Sequence, residues 1–259
     1  MKTQGQSRRR GRKTKDEALV LRDRYWAFFL KSKLPDESYA SLEKRLFTNL
    51  QIKRRKNSLG YSQPFALSKV ALGKRGLSPK LEDVPLVVLR GEQLVAKASE
   101  AFRSILWTVL MGPETVSKIK DPYHSVAPEV KLELSKRHFS VASNAGKDVG
   151  SLNTLGIRRL SRLWHRDALG LLLSHCPAVK GASKVSLMAE AYVFNLLHCI
   201  CQHDPALMAI KSELATLIKQ RFGVKANAGW IRNAKPFIAP KISGVAVGFR
   251  MLTDRGSVH

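Results

Sequence analysis

Six histidine and cysteine residues cluster in the second half of the chain, in a spacing that raises the question of a metal ion: His175, Cys176, His198, Cys199, Cys201 and His203. Cys199 and His203 are four residues apart, and His198 and Cys201 are three apart, so each pair shares one helix face. Zinc needs four tetrahedral ligands, which two pairs on one helix cannot direct at a single ion unless the first two residues complete the set. Because the chain has no Cys-x-x-Cys pair, buried thiols and polar helix-end histidines are favoured. We predict no metal and no cofactor.

Asp121, Glu129 and Lys131 form a second candidate for chemistry. Their order, an acidic residue followed by Glu-x-Lys, resembles the arrangement in many restriction-type nucleases. That resemblance implies two carboxylates that hold Mg²⁺ and a lysine that orients the attacking water. The segment from Glu129 to Leu134 alternates polar and apolar residues, which predicts a short strand. An Mg²⁺-dependent nuclease is therefore the enzymatic alternative.

Other catalytic and phosphate-binding motifs are missing from the sequence. No Gly-x-Ser-x-Gly element is present, and Gly73-Lys74-Arg75-Gly76 lacks the Gly-x-x-x-x-Gly-Lys-Ser/Thr spacing of a nucleotide-binding loop. That short loop still has the composition to hold a backbone phosphate. We predict no catalytic residues and expect a protein that is not an enzyme.

Positive charge is the feature that departs most from an ordinary globular composition. The 259 residues include 45 Lys and Arg against 20 Asp and Glu, a net charge of +25. Residues 1–80 hold 21 of these cations and only 6 of the carboxylates. Such a surface repels itself unless a polyanion neutralises it, and nucleic acid is the commonest cellular polyanion. The nucleic-acid face is therefore predicted at the N-terminal end.

Three groups of basic residues are assigned to that face. The first 14 residues have no hydrophobic periodicity and read as a disordered arm, whose Arg-Gly-Arg core resembles the arms that lie in the DNA minor groove. A basic turn and a later basic segment would anchor more backbone, and Tyr61 would stack on bases. The assigned residues are Arg8, Arg9, Arg10, Arg12, Lys13, Lys53, Arg54, Arg55, Lys56, Tyr61, Lys69, Lys74 and Arg75.

Helical periodicity dominates the elements that position these residues. The N-terminal pattern predicts helices over about 16–33, 38–50 and 64–72, with Gly73 ending the third. In the first, Trp26 belongs to the core and Arg22 and Arg24 surround it. The stretch from Leu67 to Gly73 resembles the second helix and turn of repressor-type helix-turn-helix modules, which implies a recognition helix after the turn.

The rest of the chain also reads as helical. Helices are predicted over about 92–110, 157–174, 183–202 and 205–222, with a strand-like run at 84–89. Arg158, Arg159, Arg162 and Arg166 are predicted to point outward. The fold class is thus mainly α, with at most one or two short strands. The predicted segments are a disordered arm (1–14), a basic nucleic-acid-binding module (15–90), a helix with a loop or strand (91–139), a linker (140–156), a helical bundle (157–223) and a weakly ordered basic tail (224–259).

The function predicted from these features is nucleic-acid binding, with double-stranded DNA favoured and a regulatory or mobile-element accessory role. An RNA-associated structural or assembly protein is the other alternative. A homodimer or a protein partner would use the C-terminal helices. The three cysteines do not make a disulfide framework, no apolar stretch follows the N-terminal arginines, and the most apolar segment is interrupted by polar residues. We therefore expect a cytoplasmic protein without membrane contact, which is nucleoid-associated if its ligand is DNA.

Overall fold

Helices account for most of the residues that the structure, a computed structural model, describes: 15–49, 67–74, 76, 100–119, 125–135 and 152–225. No sheet is present within these ranges, which confirms the mainly α class. The helices are α1 (Glu17–Lys33), α2 (Tyr39–Asn49), α3 (Leu67–Ala71), α4 (Ile105–Val109), α5 (Pro113–Ser117), α6 (Pro128–Ser135), α7 (Thr154–Leu160), α8 (Arg166–Ser174), α9 (Pro177–Lys180), α10 (Lys184–His203), α11 (Pro205–Met208) and α12 (Lys211–Phe222).

α1 follows the prediction because its local signals agree. The side chain of Asp16 caps the helix by accepting from the Ala18 N–H at 2.8 Å, and the helix ends before Pro35. Tyr25, Trp26 and Leu30 are buried, so Trp26 belongs to the core as expected. α1 packs against α3, α4, α11 and α12. The first predicted helix therefore shares its core with helices from the end of the chain.

Three predicted helices are interrupted. The helical turn at 100–103 stops at Ser104, whose hydroxyl accepts from Leu106 N–H at 3.3 Å and starts α4. His165 likewise caps α8 through Nδ1, which accepts from Asp167 N–H at 3.1 Å, so the predicted helix 157–174 is two helices. A turn at 209–210 separates α11 from α12. Side-chain caps compete with helix continuation at the first two breaks.

The predicted strand over 129–134 is wrong, because this segment is helix α6. Pro128 occupies the first helical position, where its missing N–H costs nothing. Val130 is buried while Leu132 is 63% exposed, so the alternating apolar residues do not share one face. The strand-like run at 84–89 lies outside the described residues.

The core is one continuous cluster that runs from α1 to α12. Its tightest crossing joins α4 and α8 at Gly170, where an added Cβ would lie 2.9 Å from the Leu106 backbone nitrogen. Glycine is thus required there by close backbone approach. The six-segment division stays a prediction, since most of its boundaries fall outside the described ranges. α7 does begin at Thr154, within the predicted linker.

α10 is the central helix of the second half and packs against α7, α8, α9, α11 and α12. Ser183 and Ser186 form a capping box at its start. Among the described residues it is the one helix long and apolar enough to cross a membrane, and 39% of that window is buried inside the protein. Its buried side chains include Ala189, Val193, Leu196 and Ile200.

Candidate nucleic-acid interface

The structure describes two of the predicted contact residues, Lys69 in α3 and Lys74 in the turn that follows it. Leu67 and Val70 are buried against α1 and α2, whereas both lysines are exposed. The remaining predicted contacts lie outside the described residues: Arg8, Arg9, Arg10, Arg12, Lys13, Lys53, Arg54, Arg55, Lys56, Tyr61 and Arg75. Position 76 is described, but the stretch after it, where a recognition helix would run, is not. The helix-turn-helix module stays a prediction.

Both ends of α3 are held by side chains from other helices. The buried carboxylate of Glu43 accepts from the Leu67 N–H at 3.2 Å, which caps the first turn. At the other end, Arg24 Nε donates to the Ala71 carbonyl at 3.1 Å. Arg24 also pairs with Glu213 of α12 at 2.9 Å. A residue predicted to surround the apolar face of α1 therefore orients α3 instead.

The turn after α3 brings Lys69 and Lys74 together through the backbone. Lys74 N–H donates to the Lys69 carbonyl at 2.9 Å, and Gly73 N–H donates to the Val70 carbonyl at 2.9 Å. These two bonds form a Schellman motif, which requires a left-handed residue at Gly73, and the φ of Gly73 is +70°. The motif places two cations on one short exposed surface.

Replacing Gly73 by alanine is expected to destabilise this turn. A left-handed conformation costs a residue with a side chain about 1–2 kcal/mol, and the new Cβ would lie 3.2 Å from Arg24 Cδ. We expect the free energy of unfolding, measured by urea denaturation, to fall by about 1–2 kcal/mol. The matched control is Gly223→Ala, which is also left-handed after a helix end, with φ +64°, but has no atom within 4 Å of the added Cβ. A Gly73→Ala loss no larger than the control's would show that the contact with Arg24 contributes nothing.

Cations at the start of α1 are neutralised internally. The carboxylate of Asp23 is buried, and it pairs with Lys15 at 2.6 Å and with Arg22 at 3.2 Å. Arg22 also lies over the Phe102 ring, 4.3 Å from its centroid. Arg221 of α12 pairs with Asp16 at 3.0 Å. These groups join the N-terminal helix to the rest of the core and leave little charge for a ligand.

Arg166 lies inside the protein, so its predicted outward position is wrong. Its guanidinium donates to Asp204 at 2.9 Å, and Asp204 also accepts from the Tyr25 hydroxyl at 3.0 Å. His165 Nε2 lies 2.8 Å from Glu100 in the same network. Burial opposes the charge of Arg166, yet its pKa is raised because the oxygens of Tyr25, Asp204 and Glu100 favour the charged form.

Tyr25 in this network is kept neutral. Burial raises the pKa of the phenol well above its ordinary value; the Arg166 charge lowers it by less, and Asp204 raises it further. The second oxygen of Asp204 accepts from Ala206 and Leu207 N–H at 3.1 and 3.2 Å, which caps α11. The network therefore connects α1, α8 and α11 and leaves one buried donor, Arg166 Nε, without a hydrogen-bond partner.

The six cysteine and histidine residues are divided between core and surface: His175, Cys176 and Cys201 are buried, whereas His198 and His203 are exposed. Burial raises the pKa of Cys176 to about 12 and that of Cys201 to about 11, so both thiols stay protonated. Burial also lowers the pKa of His175 to about 4. His203 stacks on Trp164 with ring centroids 4.5 Å apart. Among the described residues, no group of three or more His, Cys, Asp or Glu is placed to hold a metal ion.

The nuclease arrangement loses its structural basis in α6. Glu129 and Lys131 are both exposed on this helix and are two residues apart, so they point to different sides. Residues two apart share one face of a strand but not of a helix, so this carboxylate and this ammonium do not face one site. Asp121 lies outside the described residues.

α7 and the turn after it present a second basic surface, whose arginines are predicted to point outward but are not among the predicted contact residues. We call it the α7 arginine face; it consists of Arg158, Arg159 and Arg162, all exposed. The signal was available in the sequence, since these residues recur at helical spacing beyond an asparagine cap.

Searches among known protein families, curated proteins and solved structures found no match to the chain.

Proposed function

We propose that the protein binds nucleic acid, with duplex DNA favoured, in a non-enzymatic regulatory or accessory role. The observation that carries the proposal is the net charge of +25 together with its concentration in the first 80 residues. The described residues contain most of the Asp and Glu side chains but fewer than half of the Lys and Arg side chains. Most of the excess charge therefore belongs to segments such as 1–14 and 53–56. Within the described residues, Lys69 and Lys74 are exposed cations.

The ion pairs between helices support this distinction between cations that hold the fold together and cations at the surface. Arg24, Arg166 and Arg221 are paired with carboxylates at 2.9–3.0 Å and hold helices together. By contrast, Lys69 and Lys74 are exposed at the α3 turn. The sequence predicts that the cations of the N-terminal arm lie on a disordered segment. Contacts of that kind position a protein on a phosphate backbone without reading sequence.

The test is the affinity for duplex DNA across a salt series. Removing residues 1–80 would delete Tyr25, Trp26 and Leu30 from the core, so the deletion must stop at residue 14. Each phosphate contact adds about 0.9 to the log–log slope, so losing the five cations between Arg8 and Lys13 should lower the slope by about 4.5. The Lys69→Gln/Lys74→Gln variant should lower it by about 2. The control is Lys180→Gln/Lys184→Gln, two exposed lysines elsewhere.

Each alternative has its own outcome. Weak, salt-independent binding by the full chain, or slopes that neither variant changes, would overturn the proposal. Preference for structured RNA over duplex DNA in competition at one salt concentration would identify an RNA-associated protein. Mg²⁺-dependent cleavage that Asp121→Ala abolishes without loss of binding would identify a nuclease.

A further inference from the structure

We propose that the α7 arginine face is a second contact for the phosphate backbone of nucleic acid, separate from the N-terminal region. The inference rests on the proposed function and adds a surface to it. Leu155 precedes Arg158 and Arg159 by three and four residues, and Arg162 follows them by four and three, which places the four residues on one side of α7 and its closing turn. Ile157 and Leu160 on the other side are buried in the core.

The α7 arginine face lies on a helix that is capped at its start and packed against three other helices. Asn153 caps α7 by accepting from the Gly156 N–H at 2.8 Å, and the helix packs against α6, α8 and α10. Arg162 lies in the turn that follows, where its N–H donates to the Arg159 carbonyl at 3.1 Å. The three side chains therefore project from an ordered helix and its closing turn.

Cations outnumber carboxylates among the described residues of α6, α7 and the turn after α7. Glu133 of α6 approaches Arg159 only to 3.8 Å, and Arg159 keeps 47% of its side chain exposed. Lys131 of α6, itself exposed, offsets Glu129 on the same helix. α6 and α7 together therefore carry more cations than carboxylates.

The residue type favours phosphate as the ligand. A guanidinium presents a planar fork of donors that matches two phosphate oxygens, which an ammonium cannot do. The exposed cations near α5, α9 and α10 are by contrast lysines: Lys118, Lys180 and Lys184. The exposed large apolar side chains of α6 and α7 are Leu132 and Leu155, which is a small area against the roughly 800 Å² per partner of a stable protein interface. A polyanion therefore fits the face better than a folded protein.

The α7 arginine face is distinct from the α3 lysines by its packing. α3 lies on α1 and α2, whereas α7 lies on α6, α8 and α10, so the two surfaces share no principal neighbour. A nucleic acid held by both surfaces would contact two separate parts of the protein. Removing one surface should leave the contribution of the other unchanged.

The experiment compares duplex DNA affinity of the full chain at 50 and 200 mM salt with that of the triple variant R158Q/R159Q/R162Q. Three lost phosphate contacts lower the log–log slope by about 2.7, so wild type should lose about 40-fold more affinity over this range than the variant. The triple variant R158K/R159K/R162K keeps the charge, and we expect it to keep the wild-type slope. The control K118Q/K180Q/K184Q removes three charges elsewhere and should retain nearly all of the wild-type slope. Equal thermal unfolding midpoints check that the variants fold.

The outcomes separate this proposal from the proposed function. A wild-type slope in the glutamine variant, or equal losses in the glutamine variant and the lysine control, would overturn the α7 contact. If deletion of residues 1–14 lowers the slope in the same assay, nucleic-acid binding itself still stands. A full chain that binds no duplex overturns both. Unchanged DNA binding with lost binding of polyglutamate would assign the face to an acidic protein partner instead.

Discussion

Replacing Asp167 by alanine is expected to lower the free energy of unfolding by about 3–5 kcal/mol. Its carboxylate is buried and accepts from three donors: the Ser104 hydroxyl, the Ile105 N–H at 3.2 Å and the Ala127 N–H at 2.6 Å. Each buried donor left without an acceptor costs about 1–3 kcal/mol. Urea denaturation of the purified variant measures the loss.

The position of Asp167 explains why one side chain should matter so much. It is the second residue of α8, Ile105 is the first residue of α4, and Ala127 directly precedes α6. The carboxylate thus lies where the positive ends of three helix dipoles meet. Asp36→Ala, an exposed carboxylate, is the matched control and should change stability by less than about 0.5 kcal/mol. An Asp167→Ala loss below about 1 kcal/mol would mean that the three donors find other acceptors.

Acidification from pH 7 to pH 5 is expected to cost the protein about 2 kcal/mol through His175 alone. Burial lowers the pKa of His175 to about 4, whereas an unfolded histidine titrates near its ordinary value of 6.5. Below pH 6.5 the unfolded chain takes up a proton that the folded protein cannot accept until about pH 4. The stabilisation is therefore complete above pH 6.5 and is lost as the pH falls through this window.

The measurement is urea denaturation at pH 7 and pH 5 for wild type and His175→Asn. The variant lacks the titrating group, so the stability difference between the two proteins should shrink by about 2 kcal/mol at the lower pH. His198→Asn removes an exposed histidine and should follow the wild-type pH dependence. Parallel pH dependence of wild type and His175→Asn would show that His175 accepts a proton in the folded protein.

Elements with strong local signals were predictable from the sequence. α1 has an aspartate cap, apolar residues at helical spacing and a proline after its end; α10 begins at Ser183; and α12 ends at the left-handed Gly223. In each case the stop or start depends on residues within a few positions of the helix end. These elements needed no knowledge of the remainder of the chain.

The breaks within three of the predicted helices, and the helix in place of the predicted strand at 129–134, were not predictable from local signals. The carboxylate of Asp167 is 62 residues from Ile105 and 40 from Ala127, yet it supports the starts of α4 and α6. The alternation of polar and apolar residues at Glu129–Leu134 favours a strand. The sequence does not show that a carboxylate 40 residues away accepts a hydrogen bond at the start of a helix there. The sequence predicts that Arg166 points outward from its helix. It does not show that Tyr25 and Asp204, which lie 141 and 38 residues away along the chain, are close to Arg166 in the fold.

The sequence by itself determined the mainly α class, the caps and ends of the longest helices and the excess of positive charge at the N-terminal end. These properties are local or additive, so composition and spacing express them directly. Only the tertiary structure decided which cations join helices through short ion pairs and which are exposed at the surface. Arg24, Arg166 and Arg221 became supports for helix packing, while Lys69, Lys74 and the α7 arginine face stayed at the surface. The physical reason is that burial of a charge depends on carboxylates brought close by folding, which no sequence period encodes.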